Sequence, residues 1–136
     1  MQVRKILLAD DDAEDISVMR DAMTLLNVND IIWPALNGEL AWNILQKNFE
    51  SSLIPCLIVL DLNMPKMNGT QTLSKIKNDN RFKEIPVIIY STSINPLEKE
   101  KCILLGAHSY ITKPVSFEES IETARIFLQF CQKLLA

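Results

Sequence analysis

Short apolar runs closed by turn residues alternate along this chain with longer stretches whose apolar residues recur every three or four positions. The first kind reads as buried strand and the second as amphipathic helix. Strands are expected near residues 3–9, 31–36, 56–61, 87–91 and 109–112. Pro34 interrupts the second, which argues for a place at a sheet edge. Between them, Ile16, Met19, Met23 and Leu26 share one helical face, as do Leu40, Ile44, Leu45 and Phe49, and then Leu73 and Ile76. Asp12 suits the cap of the first helix, with Glu14 and Asp15 near the positive end of its dipole. Asn95-Pro96 opens a fourth helix and Gly106 closes it. Ser116 with Glu119 makes a capping-box pattern for a fifth. Five strands alternating with five helices imply an α/β protein with a parallel sheet, right-handed crossovers and helices on both faces.

Composition narrows the function classes. The 136 residues are 48% hydrophobic and 23% charged, with a net charge of -3, and are expected to form one domain, 1–136. The charge gives no electrostatic case for nucleic acid or for an anionic membrane surface. Apolar runs fall far short of a membrane span, and the first residues lead straight into a strand without a signal-peptide segment, so a cytoplasmic protein is expected. Cys56, Cys102 and Cys131 are odd in number and widely spaced, with His108 the only histidine. Structural zinc is close to excluded, and the cysteines read as free thiols acting as small apolar residues. His108 reads as a surface side chain without a role.

The chemistry gathers where the strands stop. Asp10, Asp11 and Asp12 follow the first strand, and Asp61 ends the third ahead of Met64-Pro65 and Asn68-Gly69. Ser91 ends the fourth and Lys113-Pro114 follows the fifth. In an open parallel sheet these ends share one edge, where ligands bind. Carboxylates crowded together call for a hard divalent cation, and Mg²⁺ takes such a set together with phosphate oxygens.

These segments together resemble the receiver domain of response regulators, the CheY-like phosphoacceptor module of two-component signalling. The resemblance rests on Leu8-Ala9-Asp10-Asp11-Asp12, on Asp61 through Gly69, on Pro86 to Ser91, and on Gly106-Ala107 with Tyr110-Ile111-Thr112-Lys113-Pro114. It implies a doubly wound sheet in the order 2-1-3-4-5. It implies that Asp61 accepts a phosphoryl group, with Mg²⁺ held by Asp10, Asp11, Asp61 and the backbone carbonyl of Asn63. Lys113 and Ser91 would contact phosphoryl oxygens, and Ser91 with Tyr110 would form a switch. The donor would be a histidine kinase or a phosphotransfer protein, and the protein would catalyse nothing beyond its own phosphorylation and dephosphorylation. The Lys113-Pro114 bond is expected to be cis. Thr92, where many relatives carry alanine, would narrow access to the phosphoryl site. A weaker likeness points to the short stand-alone receivers paired with phytochrome-type kinases, and the alternative is a pseudo-receiver that docks partners without phosphorylation. A haloacid-type phosphohydrolase would want an acid where Asn63 stands. A flavin carrier would not place three aspartates in its phosphate loop.

The last helix is expected over residues 116–135. Phe117, Ile121, Ala124, Leu128, Cys131 and Leu135 form one stripe, and Phe127, Phe130 and Leu134 a second. Apolar surface beyond a core face marks another contact, either a homodimer through Phe127, Phe130 and Leu134 or further packing within the molecule.

Overall fold

The computed structural model describes residues 1–132. Its strands are β1 (Gln2–Ala9), β2 (Ile32–Ala35), β3 (Ile54–Leu60), β4 (Val87–Ser91) and β5 (Ser109–Thr112). They alternate with α1 (Ala13–Leu25), α2 (Gly38–Glu50), α3 (Gly69–Lys77), α4 (Pro96–Leu104) and α5 (Phe117–Gln129). All strand pairs are parallel, in the order β2-β1-β3-β4-β5. Pro34 lies on the edge strand β2, where its missing N–H breaks no inner ladder.

Side chains alternate across the sheet and build two cores. Leu7, Ile58, Leu60, Val87 and Ile89 meet Trp42, Leu45, Leu73, Ile76 and Cys102 from α2, α3 and α4. Ile6, Leu8, Leu57, Val59 and Ile88 meet Ile16, Met19, Met23, Ala124 and Phe127 from α1 and α5. The helix starts follow the cap chemistry of the sequence. The side chains of Asp12, Asn37, Asn68, Asn95 and Ser116 each accept a backbone N–H of the first turn, and Asn68 with Gln71 completes a capping box.

Three expectations need correcting. First, Cys56 and Cys131 are joined as a disulfide across 75 residues of sequence, with Cα atoms 5.5 Å apart, while Cys102 alone is a buried free thiol. The spacing of the cysteines hid this, because α5 must close over β3 before the two residues meet. Second, α5 ends at Gln129 with Phe130 as its cap, so the long projecting helix is absent from the described residues. Phe127 lies fully in the core edge-to-face on Tyr90, and the partly buried Phe130 packs edge-to-face on His108. The second stripe therefore packs inside the molecule as far as it is described, and Leu134 lies outside the described residues. Third, no peptide bond is cis among them; Lys113-Pro114 keeps the intrinsically favoured trans form.

Candidate functional site

Three strand ends and one loop build the acidic edge. β1 delivers Asp10 and Asp11, β3 delivers Asp61, and β5 runs into Lys113. Carboxylate oxygens of Asp10, Asp11 and Asp61 lie within 4.8 Å of one another. Asp10 and Asp61 are buried and Asp11 is exposed, so the cluster opens to solvent on one side. Backbone pairing fixes the depth of each residue: the Asp61 N–H donates to the Ala9 carbonyl, and the Lys113 N–H to the Ser91 carbonyl.

The loop after Asp61 is set by a close approach. A Cβ on Gly69 would stand 2.1 Å from the Asp61 carbonyl oxygen and 2.7 Å from the Leu62 Cα, so α3 can start this near the Asp61 backbone only with glycine. The sequence marked Gly69 only as a turn and helix opening. Gly69→Ala is expected to push the 61–62 backbone away and to lower stability by about 1–3 kcal/mol, the range for overpacking. Denaturant unfolding checks this; a midpoint equal to that of the unsubstituted protein would show that α3 moves freely.

Lys113 is the cation of the site. Its Nζ lies 2.7 Å from Asp10, 2.8 Å from Asp15 and 3.0 Å from Asp61. Burial works against its charge, but hydrogen bonds to Asp10 and Asp15 outweigh it and hold the ammonium above the ordinary lysine range. Burial pushes Asp10 up to about 6, opposed by its bond to Lys113 and aided by the nearby charge of Asp61. One ammonium facing this many carboxylates leaves negative charge in excess. Lys113 therefore stays protonated, and Asp10 is the group that readily takes a further positive charge. An all-oxygen set of this kind fits a hard divalent cation held by Asp10, Asp11 and Asp61. Asn63 lies exposed in the loop two residues beyond Asp61, its N–H 3.4 Å from an Asp61 carboxylate oxygen.

Ser91 is fully buried at the end of β4, next to β3 in the sheet. Its Oγ accepts the Ser93 N–H at 3.3 Å, and the Tyr110 hydroxyl donates to the Ser93 carbonyl at 2.8 Å. A short chain of bonds thus runs from Ser91 through Ser93 to Tyr110 on the edge strand. Thr92 between them is exposed. His108 is exposed and immediately precedes β5, at the far end of the strand from Lys113, as expected of a surface histidine. Sequence reasoning missed two members of the site. Asp15 was read only as a partner of the α1 dipole. Tyr90, buried one residue before Ser91 with its ring 5.9 Å from the Lys113 Nζ, was read only as part of a strand.

Residues 6–125 match the response regulator receiver domain model. The chain belongs to the response regulator receiver family. It is 33% identical over 110 residues to the chemotaxis protein CheY1 of Helicobacter pylori (strain J99), covering 81% of this chain and 85% of that protein. Among solved structures it superposes on the phosphorylated cyanobacterial phytochrome response regulator RcpA with a TM-score of 0.83 and 31% identity, covering 93% of this chain and 92% of RcpA. The Mn²⁺-bound form of response regulator Rcp1 gives 0.81 and 28%, covering 94% of each chain. The receiver fold, its strand order and the likeness to phytochrome-associated receivers thus agree with the reading of the sequence. No helix among the described residues is long and apolar enough to cross a membrane.

Proposed function

We propose that this receiver acts in the cytoplasm and accepts a phosphoryl group on Asp61 from a histidine kinase or phosphotransfer protein. The observation that carries the reading is Asp61 itself. It is a buried strand-end carboxylate with its oxygens beside those of Asp10 and Asp11 and an ammonium 3.0 Å away. Phosphoryl transfer needs positioning and charge neutralisation more than proton chemistry. An Asp61 oxygen attacks phosphorus in line, the bond from phosphorus to the donor nitrogen breaks, and the released imidazole leaves with its electron pair. Lys113 donates to a phosphoryl oxygen, and Ser91 takes another as it gives up the Ser93 N–H. Asp10, Asp11, Asp61 and the Asn63 carbonyl would hold Mg²⁺, which supplies neutralisation of the phosphoryl charge.

The switch follows from the chain of bonds already described. When Ser91 turns toward the phosphoryl group, the backbone at Ser93 is released from its oxygen, and Ser93 carries the carbonyl that holds Tyr110. Tyr110 then rotates inward, reshaping the surface of α4, β5 and α5, beside which Ile94, Leu97 and Leu104 already stand exposed. That surface meets the downstream partner.

Intact-protein mass spectrometry after acetyl phosphate and Mg²⁺ tests the acceptor. One phosphoryl adduct is expected, absent from Asp61→Asn and from a metal-free arm. An adduct that survives Asp61→Asn would assign the acceptor elsewhere. No adduct from either acetyl phosphate or a phosphorylated histidine donor would make the protein a docking module.

A further inference from the structure

The geometry points to Asp15 as a positioning residue for Lys113: a fourth carboxylate, carried by the first turn of α1, that holds the ammonium while the cation site and the phosphoryl group claim its other partners. This deepens the proposed phosphoryl-acceptor reading and rests on it for its use. It rests on the ion-pair geometry alone for its existence.

A lysine ammonium has three donors. Here Nζ donates to Asp15 and Asp61 and stands 2.7 Å from Asp10 as an ion pair, so all three carboxylates face its donors. Two of these acceptors have other duties: Asp10 and Asp61 face the same cation site as Asp11. A divalent cation held by these acids would compete with Lys113 for both carboxylates, and phosphorylation would turn the Asp61 carboxylate into an acyl phosphate whose phosphoryl oxygens are the new acceptors. Asp15 has no such duty. It stands outside the three-acid cluster and, with Lys113, Tyr90, Pro114 and Phe117, lines a cavity of about 250 Å³. Without Asp15, an ammonium released by Asp10 could swing toward that cavity and solvent. With Asp15 at 2.8 Å, it keeps one anion through each exchange and stays beside Asp61. The backbone supports this arrangement from both ends. Asp15 is fixed in the first turn of α1 by its N–H to the Asp12 carbonyl, and Lys113 is tied to Ser91.

The role predicts a coupling that a plain surface charge would not show. In the unsubstituted protein, Lys113 can lean on Asp15 as it yields Asp10 and Asp61 to the cation. In Asp15→Asn it has no such fallback, so Mg²⁺ must displace a more tightly held ammonium. Calorimetric titration is expected to show Mg²⁺ binding about threefold to tenfold weaker in Asp15→Asn, the scale of one half-exposed ion pair. Glu14→Gln, which removes the neighbouring exposed charge of the same helical turn, should change it by less than twofold by screening through solvent. Asp15→Glu should restore most of the affinity.

The decisive arm is the Lys113→Met background, where Asp15 has nothing to hold. There Asp15→Asn should leave Mg²⁺ affinity unchanged within error. An equal loss in both backgrounds would mean that Asp15 acts on the metal only through its field, and would overturn the proposal, as would no loss in either. Should the Lys113→Met proteins fail to fold, the contrast between Asp15→Asn and Asp15→Glu decides instead, and failure of Asp15→Glu to restore affinity overturns it. A second readout is the rate of phosphorylation by acetyl phosphate at saturating Mg²⁺, expected to fall about threefold in Asp15→Asn and to recover in Asp15→Glu. The metal titration needs no phosphorylation. A protein that never takes a phosphoryl group but shows the coupling would sink the acceptor reading and leave Asp15 as the anchor of Lys113.

Discussion

Reducing the Cys56–Cys131 disulfide is expected to lower the unfolding free energy by about 4.5 kcal/mol, the chain-entropy value for a loop closed across 75 residues. For a domain of this size that shifts a urea midpoint by about 2 M. The bond joins β3, the strand that leads into Asp61, to Cys131, two residues past the end of α5. Both cysteines are almost fully buried, so reduction leaves two small apolar side chains that still pack. The native fold should therefore survive reduction, with loss of stability but not of Mg²⁺ binding. Thiol counting provides the independent check. Cys102 is buried and its thiol is pushed up by that burial, so the native, unreduced protein should react slowly or not at all. Unfolding without reductant should expose one reactive thiol, and with reductant three. Three thiols without reductant would mean that the bond is not formed. A double Cys56→Ser, Cys131→Ser variant should be insensitive to reductant. Disulfides are rare in reducing compartments, so the same count on protein alkylated directly in cell lysate reports which state the cell maintains.

That bond also marks where the sequence stops being legible. Strands and helix caps could be read because each leaves a local trace: an apolar run, an Asp or Asn before a helix. The strand order came only with the resemblance to receivers, Pro34 adding that β2 belongs at an edge. Asp10, Asp11, Asp61 and Lys113 could be placed together because a parallel sheet brings the carboxyl ends of its strands to one edge. The Cys56–Cys131 pairing leaves no such trace, since it depends on how α5 lies across the sheet. Phe127 fails for the same reason. Its spacing put it on a second apolar stripe, but the turn of α5 and the ring of Tyr90 make Phe127 part of the core. Asp15 shows a different limit. Its position in the first turn of α1 already had a sufficient local explanation in the helix dipole. Its contact with a lysine 98 residues away appears only once the fold brings the first turn of α1 to the residue that follows β5.

Lys113→Met is expected to reshape the site more than any other single substitution. The Lys113 side chain is 9% exposed and is the one cation bonded to Asp10, Asp15 and Asp61 among the described residues. Removing one partner of a buried ion pair typically costs about 3–5 kcal/mol, because the remaining charge keeps its desolvation and loses its compensation. Two buried carboxylates are left here, so unfolding in the presence of a chelator should show a loss in that range near neutral pH. The sign of the pH dependence follows from Asp10. Its folded value, about 6, already lies above the ordinary 3.8, and losing the Lys113 bond removes an influence that lowers it. A carboxyl raised in the folded state gives stability that is present at low pH and lost as pH rises through the folded value. The variant should therefore come closer to the unsubstituted protein at pH 5 than at pH 8. Divalent cation replaces the missing charge. Lys113 no longer competes for Asp10 and Asp61, so Mg²⁺ should bind about tenfold tighter to Lys113→Met, equivalent to about 1.4 kcal/mol. Saturating Mg²⁺ should return a few kcal/mol of stability, about 2.7 kcal/mol at a hundred times Kd. Phosphorylation should move the other way and slow markedly, since no ammonium meets the phosphoryl oxygens. Tighter metal with slower phosphorylation separates this account from simple misfolding, which would weaken both. Weaker Mg²⁺ binding in a variant that still melts cooperatively would show that Lys113 organises the carboxylates for the metal rather than competing with it.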